Sequence, residues 1–397
     1  MNVKEFDIVI VGSGSGGGVV AAELSKLCAQ GLTVAVLEWG PKLRAEDYTG
    51  RELDMVGKLY FNSGGFFTKN GAMTVAFCKA YGGSTTAYTG TSFVISADTV
   101  GRWAVPGLEW DDMNRRSQKY FTQNSIHTID DGSLINDNNR LFRKGCEALG
   151  LGVSQFPVNI RGCRGAGVCN LGCPNGAKQG TDRVQLPSAE RLGATVVTNC
   201  RVDRLGDREL FATVGEWPGY GERSVWEPGE YRVKARTMVV CGGSINTCAL
   251  ILRSGLGPSL PALGRAITLH PALILAGVHG SPVSNFYGHP KSYCCAEFPD
   301  ASGFILETCF YFPFTTAKSC AGFGAEHSDL MRSYRNQQQI IALAYDEPED
   351  RNRVTVDRSG DPVLDYRLSG GTLHALHKAM LWAARIFFAA GAVKVHA

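Results

Sequence analysis

Asp7-Ile-Val-Ile-Val11, then Gly12-Ser13-Gly14-Ser15-Gly16-Gly17, then Val19 to Gln30, then Thr33-Val-Ala-Val-Leu37 and Glu38 are the stretch that decides how this chain folds. The first run is apolar on both faces, as a buried parallel strand is. The glycines satisfy G-x-G-x-x-G through Gly12, Gly14 and Gly17. Val19 to Gln30 reads as a helix closed by Gly31, and Thr33 to Leu37 as the next strand. Strand, turn, helix, strand and an acid 21 residues after Gly17 supply the context that glycine spacing alone lacks.

Each residue type serves that chemistry. Gly12 permits the tight turn, Gly14 lets a pyrophosphate approach the backbone, and Gly17 lets helix and strand pack closely. The helix N-terminus offers unpaired N–H groups and the positive end of a dipole. Glu38 accepts hydrogen bonds from a ribose diol and repels a 2′-phosphate, which disfavours NADP. The fingerprint does not itself separate FAD from NAD. A single N-terminal site in a long chain with interleaved segments favours FAD.

The rest of the chain sets the frame. With 397 residues, 44% hydrophobic, it can bury a large core in two or three domains of about 100–200 residues each. A net charge of +3 without blocks of like charge argues against a nucleic-acid partner. No signal-peptide pattern and no apolar run of about 18 residues is visible, so neither export nor a transmembrane helix is expected. Thirteen Cys in such a chain point to reduced thiols and a cytoplasmic setting. Ala194 to Leu205 and Arg236 to Cys241 read as strands, and Asn246 to Arg253 as a helix. Ala272–Val278 and Phe304–Phe312 read as longer strands of a sheet. Thr372 to Ala390 is an amphipathic helix with Leu373, Leu376, Met380, Ala383 and Phe387 on one face.

Further segments carry a family resemblance. Gly82-Gly83-Ser84-Thr85-Thr86-Ala87-Tyr88-Thr89-Gly90 resembles the flavin-side loop of the glucose–methanol–choline (GMC) oxidoreductases. Gly243-Ser244-Ile245-Asn246-Thr247-Cys248 through Gly257 resembles that family's second signature, with Cys248 where the family usually has Pro. Asp361-Pro362-Val363-Leu364-Asp365-Tyr366 and Ala390-Gly391-Ala392 resemble the segment before its C-terminal catalytic region. The loop from Gly162-Cys163 to Cys169 and Cys173-Pro174-Asn175-Gly176-Ala177-Lys178-Gln179 is similar to the long-chain alcohol oxidase and bacterial dehydrogenase branch.

The resemblance implies an α/β protein. A Rossmann-like FAD-binding domain (1–100 and 155–265) would be interleaved with an α+β substrate domain on an antiparallel sheet (101–154 and 266–397). It implies FAD, with Gly12, Gly14, Gly17 and Glu38 on the ADP half and the Val202 backbone near the adenine. Gly82, Gly83 and Ser84 would line the pyrophosphate and flavin, Ala87, Tyr88 and Thr89 would lie near the isoalloxazine, and Gly243 and Ser244 would open a helix beside the cofactor. Tyr88 is equally readable as packing, and Gly243 and Ser244 as structural support. The implied reaction is oxidation of an alcohol by hydride transfer to flavin. The family's catalytic His belongs to a segment after the Ala-Gly-Ala region, and none of the eight His here occupies the matching position. The expectation is therefore that a C-terminal segment or a partner chain supplies it, in a heteromer. Two alternatives stand: a non-catalytic flavin-binding subunit of a two-chain oxidoreductase, or a dehydrogenase passing electrons through an iron–sulfur cluster to a haem subunit.

Other residues have competing readings. Cys163, Cys169 and Cys173 are spaced to converge on an iron–sulfur cluster, but match no ferredoxin run and lack a fourth ligand for zinc, so no metal is the expectation. Lys178 and Gln179 either approach the pyrophosphate or are solvated. His270 is read as structural, and His374 with His377 as a helix face rather than a metal pair. The aromatic residues from Phe286 to Phe314 suit an apolar alcohol or an ordinary sheet core. Glu307 is expected to face solvent.

Overall fold

The computed structural model describes residues 1–396, so Ala397, the last residue of the expected second domain, lies outside them. The chain divides into two compact units. The first comprises residues 1–88, 170–268 and 347–367, and the second 89–169, 269–346 and 368–397.

The first unit is built on a six-stranded sheet in the order Thr195–Val197, Val34–Leu37, Asn2–Val11, Gly229–Val240, Glu209–Val214, Cys200–Leu205. The first four strands are parallel, with Val9 opposite both Ala35 and Met238. The last two continue as an antiparallel meander. The apolar run read from the sequence is explained by cover on both faces. Ile8, Ile10, Val34 and Val36 pack with Ala21 of the helix Ser15–Leu24. Val9, Val11, Ala35 and Leu37 share the opposite core with Leu250 of the helix Gly243–Arg253. The first helix begins earlier than the sequence suggests, at Ser15. Its expected second half, Ser25–Gln30, tightens into a 3₁₀ turn that ends on Gly31 at φ +85°.

The second unit carries an antiparallel sheet in the order Lys394–His396, Ala272–Val278, Gln337–Ala344, Phe304–Thr308, Tyr293–Cys295, Ser154–Gln155. Helices Asp137–Ala148 and Gly370–Ala390 cover one face. Phe142, Leu275, Leu306, Ile340, Ala383 and Phe387 form one core there. Gly277 is obligatory in this packing, because a Cβ would stand 2.4 Å from the Phe387 ring.

Mixed α/β architecture with a parallel dinucleotide-type sheet and a separate antiparallel sheet is the fold class read from the sequence. The details differ in four places. The expected strand Phe304–Phe312 stops at Thr308, since Pro313 already opens a short helix, Pro313–Ser319. Leu373 is 54% exposed, because it stands with His377 and Leu381 on the solvent side of its helix, while Thr372, Leu376, Ala383 and Phe387 face the other way and are buried. Residues 347–367 belong to the first unit, not the second: their hairpin, Arg353–Val356 with Pro362–Asp365, packs on the helix Gly243–Arg253. Residues 89–100 and 155–169, expected in the first unit, fall in the second. No described helix is long and apolar enough to cross a membrane.

Candidate cofactor site

The glycine turn between the strand Asn2–Val11 and the helix Ser15–Leu24 is a close-contact structure. A Cβ on Gly17 would sit 1.9 Å from the Gly12 carbonyl oxygen, so helix and turn approach only because none is there. Gly12 has φ +95°, and a Cβ there would meet the Cys241 carbonyl at 2.5 Å. Gly14 is different. A Cβ at Gly14 would find no protein atom nearer than the Gly83 Cα at 3.9 Å. The protein itself does not require glycine there, whereas a group lying against the turn would. The first amides of an α-helix have no partner one turn back, and such an N-terminus favours an anionic group.

Glu38 ends the second strand and is buried. Its Oε2 accepts the Ser13 amide at 3.0 Å and the Ser13 hydroxyl at 2.6 Å, and its Oε1 accepts the Gly40 amide at 2.7 Å. Burial raises its pKa, while these hydrogen bonds and the charge of Lys79 work the other way. The Ser13 hydroxyl also accepts the Gly82 amide at 3.0 Å, which ties the first glycine turn to the second. Gly83 lies so close that its Cβ would meet the Gly14 Cα at 2.7 Å. Gly12, Gly14, Gly17, Glu38, Gly82 and Gly83 are thus one constellation. Ser84 continues it, its hydroxyl accepting the Cys78 amide at 3.0 Å. Ala87 is buried, and its carbonyl accepts the Tyr60 hydroxyl at 3.2 Å. Tyr88 closes this stretch of the first unit, and Thr89 opens the second, where its carbonyl accepts His289 Nε2 at 2.8 Å.

At the other end, a cavity of about 410 Å³ is lined by Trp39, Lys79, Asn199, Arg201, Asp203 and Tyr220 among others. The Trp39 ring carries the Lys79 ammonium at 5.3 Å and the Arg201 guanidinium at 5.0 Å. Trp39 follows Glu38 in sequence, and Arg201 and Asp203 flank Val202. The Val202 carbonyl is held by the Arg253 guanidinium at 2.7 Å. Gly243, at φ +80°, and Ser244 begin the helix Gly243–Arg253 and are both exposed. An N-terminal amide set, an acid for a diol, a Cβ-free cradle and an aromatic-lined cavity together have the chemistry a dinucleotide needs, and FAD fits them.

Sequence reasoning missed the residues that pin this constellation. The Thr181 hydroxyl meets the Thr85 hydroxyl at 2.9 Å and the carbonyls of Ser13 and Gly82 at 3.2 and 3.3 Å. Lys178 and Gln179 are buried, so neither is solvated. Thr181 follows them by two or three residues in the same loop, and that adjacency was the available signal. Glu307 is also buried, paired with Lys291 in the second unit, because its strand face is covered. All eight His lie in the second unit. Among the described residues no three His, Cys, Asp or Glu side chains gather as a metal site, Cys163, Cys169 and Cys173 included.

A sequence profile described as GMC oxidoreductase matches residues 56–272, and this chain belongs to that family of FAD-binding flavoproteins. An uncharacterised GMC-type oxidoreductase of Mycobacterium tuberculosis is 32% identical over 99% of this chain and 61% of its own length. A long-chain-alcohol oxidase of Arabidopsis thaliana is 30% identical over 98% of this chain and 53% of its own. The chain therefore spans under two thirds of these relatives. In structure it resembles formate oxidase, with TM-score 0.69 and 12% identity over 98% of this chain and 82% of that one. Pyridoxine 4-oxidase from Mesorbium loti gives TM-score 0.66 and 17% identity over the same shares. At those identities the likeness is one of fold.

Proposed function

We propose that this chain binds FAD in its first unit and forms the cofactor-holding part of an enzyme that oxidises an apolar alcohol, the CH–OH carbon giving hydride to the flavin. The observation that carries the reading is the Ser13 bridge, which binds the ribose acid Glu38 to the flavin-side amide of Gly82 across the turn that would cradle the diphosphate. In this reading Gly14 and the helix amides hold the diphosphate, Glu38 the ribose, and the Trp39 cavity with the Val202 backbone the adenine end. Gly82, Gly83, Ser84, Ala87, Tyr88 and Thr89 bound the flavin end, with Gly243 and Ser244 beside the cofactor.

The flavin supplies the redox chemistry, and the protein's part is to orient and exclude water. The proton of the alcohol needs a base near neutral pKa, which suits His. We assign that base to a C-terminal segment or partner chain rather than to any of the eight His here. The similarity to a long-chain-alcohol oxidase and the aromatic group Phe286, Phe310, Phe312 and Tyr334 favour a long or aromatic substrate. The test is spectroscopic. Purified chain should be yellow with one FAD per chain, and a primary long-chain alcohol, with the C-terminal segment restored, should bleach it without oxygen. Colourless protein that takes up no FAD would defeat the reading. Bound flavin that no alcohol reduces would leave a flavin-binding subunit.

A further inference from the structure

Lys178 lies in the cysteine-containing loop and is only 4% exposed. Its ammonium donates to the carbonyls of Thr86 at 2.7 Å and Tyr88 at 2.8 Å, and stands 5.3 Å from the centre of the Tyr88 ring. It therefore ties down the Thr86–Tyr88 stretch, just after Gly82 and Gly83. Its charge is felt by its neighbours: it opposes the burial that pushes the Cys78 thiol up to about 12 and the Asp182 carboxyl up to about 6. Asp182 in turn packs under Gly82, where a Cβ would meet the Asp182 Cβ at 2.7 Å.

Burying an ammonium is expensive, and a neutral donor could tie the same two carbonyls for less. A fixed cation in a dry site acts on charge that develops nearby far more strongly than it would in water. Reduction adds negative charge to a flavin.

We propose that Lys178 is a positioning residue that fixes the Thr86–Tyr88 stretch and, through its charge, raises the electron affinity of the bound flavin. This rests on the reading of Gly82 to Thr89 as the flavin side. Affinity for sulfite, which adds to electron-poor flavins, reports the effect without turnover. Lys178→Gln keeps a donor and removes the charge; Lys178→Arg keeps the charge. Both should retain FAD. Lys178→Gln should bind sulfite at least tenfold more weakly and show a more negative midpoint potential, and Lys178→Arg should restore both towards wild type. Unchanged sulfite affinity and potential in Lys178→Gln would overturn the proposal while leaving the flavin site standing. Loss of FAD from both variants with unaltered thermal unfolding would also overturn it, by assigning Lys178 to binding alone. A wild-type protein without FAD would instead remove the reading beneath it.

Discussion

Ser13 and Glu38 are joined twice, by the Ser13 amide at 3.0 Å and by its hydroxyl at 2.6 Å, both to the same carboxylate oxygen. The second oxygen is held by Gly40. The carboxylate is thus aimed before any ligand arrives, and Oε1, which accepts the Gly40 amide, has a second lone pair to offer a ribose hydroxyl. Ser13→Ala removes the hydroxyl from between Glu38 and Gly82. It should weaken FAD binding by about 1–2 kcal/mol, roughly tenfold, as loss of a buried charge-assisted bond does. Equilibrium titration of apoprotein with FAD measures this.

Gly14 and Gly17 separate ligand from fold. Gly17→Ala places a methyl within 1.9 Å of a carbonyl and should cost more than about 3 kcal/mol in urea unfolding. Gly14→Ala adds a methyl whose nearest protein atom is the Gly83 Cα at 3.9 Å, so apoprotein stability should stay within about 1 kcal/mol while FAD affinity falls at least tenfold. If Gly14→Ala kept its full flavin affinity, the cradle would have to be placed elsewhere.

Asp182 gives a pH signature. Burial lifts its carboxyl from 3.8 to about 6, against the charges of Lys178 and Arg183. The unfolded chain therefore releases this proton first. The group's contribution is fully present below pH 3.8, and stability is lost as pH rises towards and through about 6. Asp182→Asn should match wild type near pH 4 and exceed it near pH 7.5 by on the order of 3 kcal/mol. Denaturant midpoints at both pH values would decide it; parallel curves would count against the assignment.

Lys291, part-buried, pairs with Glu307, buried on the second unit's sheet, and its ammonium is also 5.6 Å from the centre of the Phe156 ring. Glu307→Gln removes the counter-charge of a part-buried ammonium and should cost about 1–3 kcal/mol. Adding Lys291→Met should recover much of that loss, which a double-mutant cycle on thermal stability would reveal.

Local pattern decided what was legible. Ala272–Val278 was read to the residue because its apolar run is bounded sharply and lies in the middle of a sheet. The first glycine turn was legible because its chemistry sits within one contiguous stretch. Glu307 looked solvent-facing because its partner, Lys291, is remote in sequence and only the sheet brings them together. The place of the hairpin after Glu347 in the first unit is hidden for a similar reason, since it depends on a helix about a hundred residues earlier. Thr181 carries no motif of its own. Its role appears only when two glycine loops converge on one hydroxyl.

The pairing of Asn2–Val11 with Gly229–Val240 has a biosynthetic corollary. The opening strand leaves the ribosome long before its parallel neighbour exists, and non-local pairings of this kind form slowly. Until then the nascent chain holds a sticky apolar segment with one flank unsatisfied, a species prone to aggregate. Growth media rich in riboflavin and slow, cool expression should therefore raise the soluble yield, because the vitamin-derived ligand can trap only chains in which that late strand has docked.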